Sequence, residues 1–215
     1  MLRKNSTKFA LTSNQTPGMR LTLLFTFLLM VCSARAQFYS DVVADTIFTF
    51  KDKRDNNKYT AVKIGDMIWM GENLRYKTKD SWCYKDKELN CEKFGRLYEW
   101  EEAQTACPPG WHLPSMAEFD SLVARLGGDK KAGYALAYDS GVGMQMKFGY
   151  PPNVNGRFNA EDSQTNFWTS SENNKDTAWS YYMIKIKLPL VFSSYFSKNY
   201  NMSCRCVKDD SEIGG

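Results

Sequence analysis

Histidine is nearly missing from this chain: among 215 residues only His112 carries an imidazole. A metal centre assembled from several histidines is excluded, and any serine–histidine or cysteine–histidine machinery has to use that one residue. No G-x-S-x-G phrase accompanies it. Long apolar runs are scarce too. The one stretch that qualifies, Leu21 to Val31, is interrupted only by Thr22 and Thr26 and is too short to span a bilayer stably. Arg20 precedes it and Ala34-Arg35-Ala36 follows. A basic start, a short apolar core and an A-x-A end read as a secretory signal over residues 1–36, with cleavage after Ala36 and Met19 as an alternative start. Val31 stands where a lipoprotein signal wants a small residue, which disfavours a lipid anchor at Cys32.

Beyond the signal the chain has no excess charge of either sign. Residues 1–36 hold Arg3, Lys4, Lys8, Arg20 and Arg35 and no acid, leaving 23 of the 28 basic residues against all 24 acidic ones. The isoelectric point near 8.6 belongs to the precursor. Without a basic field, nucleic acid and anionic lipid are not expected partners. Residues 37–215 suffice for one well-buried domain. What is plentiful is aromatic surface, with 13 Phe, 12 Tyr and 6 Trp. Cys83, Cys91, Cys107, Cys204 and Cys206 remain after cleavage. Export makes disulfides the default for them, with one thiol left over.

No internal repeat or low-complexity linker appears. Residues 37–50 read as a lead-in. Lys58 to Leu74, KYTAVKIGDMIWMGENL, reads as two β segments reversing at Gly65-Asp66. Ser81 to Phe94 reads as a polar loop bracketed by Cys83 and Cys91. Leu97, Trp100, Ala103 and Cys107 recur at helical spacing until Pro108-Pro109 stops them. Ser115 and Glu118 form a capping box ahead of a second helix with an apolar face of Phe119, Leu122, Val123 and Leu126, ended by Gly127-Gly128. After Gly128 the helical signal vanishes. Residues 129–175 read as long irregular loops with an Asn155-Gly156 turn. Ala178 to Lys187, Val191 to Phe196 and Met202 to Val207 read as three closing β segments. This order predicts an α+β fold with antiparallel sheets, two helices and a long loop region.

The stretch ACPPGWHLPS, residues 106–115, looks most like chemistry, since it holds Cys107 and His112. A catalytic pair, a metal site and a structural corner all fit it. The lack of a second histidine and the apolar neighbours Trp111 and Leu113, leading into a capped helix, favour the corner.

Trp100, Ala103 and Cys107 in W-x-x-A-x-x-x-C, then H-L-P-S-x-x-E-x-x-x-L from His112 to Leu122, F-W-T-S-S-E at 167–172 and a late cysteine resemble a C-type-lectin-like domain. More narrowly, the chain is similar to the Fibrobacter succinogenes major paralogous domain, a family of exported bacterial proteins. The phrases are IWMGENL (68–74), SWCY (81–84), GRLYEW (95–100), ACPPGWHLPS (106–115), WTSSEN (168–173) and CRCVKD (204–209). They place the domain at 51–209, with 210–215 as a tail. The resemblance implies that the two ends of the domain meet in one antiparallel sheet flanked by two helices, with any binding surface on the long loops. It further implies a bridge from Cys107 to the last strand. Cys206 is the expected partner because R-C-V-K matches the family phrase, although spacing alone leaves Cys204 open. Cys83–Cys91 is then the local bridge, and Cys204 stays unpaired as a small buried hydrophobe.

Calcium-dependent lectins carry E-P-N or Q-P-D and then W-N-D, and none of these phrases occurs here. Glu172, Asn173, Asn174 and Asp176 offer an oxygen cluster for calcium, but a polar turn joining two strands is the better reading. No cofactor is expected. Trp179, Tyr181 and Met183 share one strand face and Tyr182, Ile184 and Ile186 the other, so one set belongs to the core. Trp168 and Trp179 are assigned to it. The remaining rings, with Tyr195 and Tyr200, suit sugar stacking or protein contact. Tyr150, Asn153, Asn155 and Arg157 on the long loop, with Glu172, Asn173, Asp176 and Tyr182, complete the candidate ligand set. The expected function is an exported, non-catalytic binding module for a glycan or surface protein, located in the medium, the periplasm or on the outer cell surface. The alternatives are a structural envelope or fimbrial subunit, and an oxidase of the formylglycine-generating type using Cys204 and Cys206.

Overall fold

The computed structural model describes residues 44–137, 142–144, 146–148, 164–185 and 189–209. The signal with Met19, Cys32 and Ala36, the start of the lead-in, Tyr150, Asn153, Asn155, Arg157, Ile186 and the tail 210–215 lie outside the described residues. Among the described residues no helix is long and apolar enough to cross a membrane.

Among the described residues, eleven strands and four α-helices make an α+β architecture in two sheets. The first sheet takes β1 (Thr46–Lys51), β2 (Lys58–Ile64), β3 (Met67–Met70), β11 (Val207–Lys208) and β6 (Trp111–His112), in that order. The second takes β4 (Ser81–Trp82), β5 (Leu97–Tyr98), β10 (Met202–Ser203), β7 (Gln164–Asn174), β8 (Thr177–Lys185) and β9 (Pro189–Ser197). The early and late strands do meet, because β11 pairs antiparallel with both β3 and β6. The hairpin at Gly65-Asp66 is present, with Ile64 opposite Met67 and Gly65 at φ 61°, a backbone region that favours glycine.

Helix α2 (Trp100–Ala106) buries Trp100, Ala103 and Ala106, while Leu97 belongs to β5 rather than to the helix. Helix α3 (Met116–Arg125) starts with the expected capping box of Ser115 and Glu118. It stops at Gly127 and Gly128, both at φ +87°. Its buried face, Phe119, Leu122 and Val123, packs with Trp69 of the first sheet and Phe167, Tyr181 and Met183 of the second. A second cluster gathers Tyr59, Met70, Leu74, Tyr98, Trp100, Leu113 and Trp168. Trp168 is fully buried and donates its indole N–H to the Tyr98 carbonyl at 2.9 Å.

The structure corrects the sequence reading at several points. Strand β1 occupies residues read as lead-in and is paired along its whole length with β2. Four helices replace the expected two. Helix α1 (Glu88–Phe94) lies in the supposed polar loop and buries only Cys91, so it has no apolar stripe to detect. Helix α4 (Asp129–Ala137) opens the supposed irregular region and buries Ala132, Gly133, Ala135 and Leu136. Small residues carry it because it lies so close to β9: a Cβ on Gly133 would sit 2.2 Å from the Pro189 carbonyl oxygen. The irregular reading also fails from Gln164, where β7 begins. The second sheet is not wholly antiparallel, since β10 runs parallel to β7. Finally, the segment read as one strand over 202–207 crosses between the sheets. Cys204, Arg205 and Cys206 form the crossing and are buried at 0%, 1% and 0% exposure. Trp179 is only half-buried, not core, because it lies on the same face as Tyr181 but toward the hairpin end, edge-on to Tyr195.

Candidate functional site

At the 106–115 corner, Cys107 ends α2 and is bonded to Cys206 with a Cα–Cα distance of 5.9 Å and a sequence separation of 99. Its sulfur is therefore no nucleophile. His112 sits on β6 opposite Val207, its Nδ1 2.6 Å from Asp209 Oδ1 and its Nε2 2.7 Å from Glu118 Oε1. The hydrogen bond to Glu118, reinforced by Asp209 against partial burial, pushes the imidazole up to about 9. Burial opposes ionisation of Glu118, yet its bonds to His112 and to the Ser115 N–H and hydroxyl hold it down at about 2. An imidazolium donating from both nitrogens to carboxylates is neither a general base nor a metal ligand. It ties the chain after β11 to the cap of α3.

Cys83 and Cys91 form the second bridge, with a separation of 8. Cys204 is free and fully buried, and burial pushes its thiol well up. The carboxylate of Glu172 lies 2.5 Å from Lys198 Nζ, which also reaches Glu101 at 3.3 Å and sits 4.2 Å from the Trp100 ring centroid. Asn173 Nδ2 donates to Thr177 Oγ1 at 2.9 Å, and Asn174 Oδ1 accepts from the backbone N–H of Asp176 and Thr177. These residues thus share the β7–β8 turn, where all four are engaged in closing it or in an ion pair.

Tyr182, named as a ligand candidate, belongs to a row of rings on one face of β8 and β9. It stacks on Phe192 at 5.5 Å and meets Phe196 edge-on at 6.0 Å, and Phe196 continues to Tyr200 at 6.0 Å. Trp179 and Tyr195 form an edge-on pair on the opposite face. Phe192 and Tyr195 are 40% and 54% exposed, and β9 is the outer strand of its sheet.

A small cleft, with a cavity volume of about 30 Å³, opens where the sheet crossing meets the end of α1. Arg205 lines it from inside, with Arg75, Lys93 and Lys147 around it and Glu72 and Glu92 as the acids. Arg205 donates to Asn73 Oδ1 from Nε at 3.1 Å and from Nη2 at 2.6 Å, and to the Gly71 carbonyl from Nη1 at 2.7 Å. Burial lowers it to about 10. Asn73 is held by its own donation to the Phe94 carbonyl at 2.8 Å. Gly95 closes the floor at φ +84°, where a Cβ would lie 2.5 Å from the Asn73 Cβ.

The model of the Fibrobacter succinogenes major domain matches residues 62–208, well over half of the chain. The chain belongs to that family. No curated protein and no solved structure matches it. Within this Fibrobacter succinogenes major domain the shared phrases fall where the fold is tied together. GRLYEW covers β5 and the start of α2, ACPPGWHLPS covers the corner, and CRCVKD covers the crossing and β11. Sequence reasoning missed Asp209 as the partner of His112, Lys198 as that of Glu172, and the whole cleft. One signal for the cleft was readable: an arginine between two cysteines in a run otherwise fit for burial is a charge headed for the interior.

Proposed function

We propose that this Fibrobacter succinogenes major domain is an exported, non-catalytic binding module of C-type-lectin-like architecture that holds a glycan against the rings of β8 and β9. The observation that carries the reading is the continuous row Tyr182, Phe192, Phe196 and Tyr200, spaced 5.5–6.0 Å ring to ring and rising to 40% exposure at Phe192. Exposed rings present flat apolar faces to sugar rings, and a monomeric soluble surface seldom leaves such a row bare without use. The meeting of early and late strands around β11 supports the lectin-like architecture. Engagement of Cys107 with Cys206 and of His112 with two carboxylates favours binding over catalysis. The same bond removes Cys206 from the thiol pair that a formylglycine-type oxidase needs.

The test is a glycan array and a surface-protein panel probed with the exported chain and its Tyr182→Ala/Phe192→Ala variant, in calcium and in chelator. Glycan hits lost in the variant support the reading. A wild-type chain with no glycan hit sinks it, and protein hits in their place transfer the surface to protein contact. A second reading, an assembly subunit, draws on β9, a nine-residue strand at the edge of the described sheet, a position suited to pairing with another copy. Concentration-dependent self-association without soluble ligand distinguishes it.

A further inference from the structure

Buried arginines are ordinarily neutralised by a carboxylate, because an uncompensated charge in the interior is strongly destabilising. Among the described residues no carboxylate hydrogen-bonds to Arg205, at 1% exposure: all of its hydrogen bonds go to neutral oxygens of Asn73 and Gly71, and Glu72 acts on it only through space. A guanidinium has one N–H on Nε and a pair on each Nη, so one N–H on Nη1 and one on Nη2 are left over. The surroundings add positive charge. Arg75 Nε is buried without a hydrogen bond; its nearest acid, Glu92, stands 3.9 Å away with a side chain 73% exposed. Glu72 accepts from the Thr60 N–H at 2.7 Å and the Thr60 hydroxyl at 2.9 Å, which fixes its carboxylate with its charge intact. Lys93 and Lys147 stand exposed at the rim. Among the described residues that line the cleft, four cations thus face two acids, an excess of positive charge.

We infer that this cleft is a binding site for a carboxylate group, received by Arg205 and Arg75 between the rim lysines Lys93 and Lys147. The site shares no residue with the ring row of β8 and β9 and stands independently of it. A planar carboxylate matches the donors a guanidinium presents. The cleft admits a functional group, with the rest of a ligand outside it, since its volume of about 30 Å³ is far below that of drug-sized sites. A doubly charged phosphate fits less well. Phe94 and Gly95 bring the carbonyl end of α1 to the floor, and that end of a helix repels negative charge.

An acidic sugar and a peptide carboxylate offer the same chemistry, so the experiment separates them. The full exported chain is titrated at low salt with galacturonate against galactose, and with N-acetylglycine against N-acetylglycinamide. Amide signals of the Asn73 side chain and the Gly95 backbone are followed by NMR. The acidic member of at least one pair should move both signals and bind at least about tenfold more tightly than its neutral partner, as charge-assisted hydrogen bonds imply. The pair that responds identifies the source. Lys93→Gln/Lys147→Gln, which changes only exposed side chains, should weaken that binding about fivefold or more while leaving the melting temperature in place. If neither acidic probe outperforms its neutral partner, or if the double variant binds undiminished, the inference is overturned and Arg205 is an internal strut.

Discussion

Opening the two bridges separately has unequal consequences that follow from loop length alone. The Cys107–Cys206 bond joins positions 99 residues apart and the Cys83–Cys91 bond positions 8 apart. A cross-link restricts the unfolded chain in proportion to the logarithm of the loop it closes. The larger loop is therefore worth about 4.7 kcal/mol and the smaller about 2.5 kcal/mol. Typical domains are stable by about 5–15 kcal/mol, so the first loss brings the chain near its unfolding threshold and the second does not. The perturbations are Cys107→Ala/Cys206→Ala and Cys83→Ala/Cys91→Ala. Both partners are removed each time because a lone Cys107 thiol has Cys204 within the same crossing as an alternative mate. Urea unfolding followed by tryptophan fluorescence reads the two free energies, and the 107/206 variant should be less stable than the 83/91 variant by about 2 kcal/mol. Equal losses, or a larger loss for the short loop, would refute the view that the long bridge stabilises mainly by restraining the unfolded chain.

The His112 tie gives a pH signature. Its imidazole is raised from 6.5 to about 9, so its contribution is complete below pH 6.5 and is lost as pH climbs through 9. Glu118, lowered from 4.5 to about 2, contributes above pH 4.5 and loses that contribution as pH falls through 2. Stability from the pair is thus greatest between pH 4.5 and 6.5. With the imidazole 42% exposed, screening limits the decline toward pH 9 to on the order of 1 kcal/mol. Asp209→Asn should flatten the alkaline side of a melting profile, and an unchanged profile counts against the tie. Cys204, fully buried, should resist iodoacetamide in the native chain and react only in denaturant; rapid native labelling would contradict its placement. Gly133→Ala should lower the melting temperature by about 5–10 °C, because the new Cβ meets the Pro189 carbonyl and relief costs about 2–3 kcal/mol. Helix propensity alone gives the opposite sign, so a raised melting point rejects the clash.

What the sequence declared was local. Ser115 and Glu118 write the start of α3 within four residues, Gly65-Asp66 writes a reversal, and Pro108-Pro109 writes a stop. Helix α4 stayed hidden because its packing face is made of alanine and glycine, which give no hydrophobic period. The crossing stayed hidden because Cys204, Arg205 and Cys206 alternate like a half-buried strand, while both cysteines and the arginine are interior. Partners far along the chain left no local trace. Asp209 stands 97 residues from His112, and Asn73 stands 132 from Arg205. The cleft exists only once those distant segments are assembled. The ring row was partly legible, since alternation put Tyr182 opposite in phase to Trp179; that Phe192 would extend it depended on the β8–β9 register.

The strand order has one more consequence. Strand β10 inserts between β5 and β7, and β11 between β3 and β6, so residues 202–208 supply an interior rib to each sheet. Without residues 202–208 both sheets lack an inner strand. Removing that short piece would expose four inward edges at once.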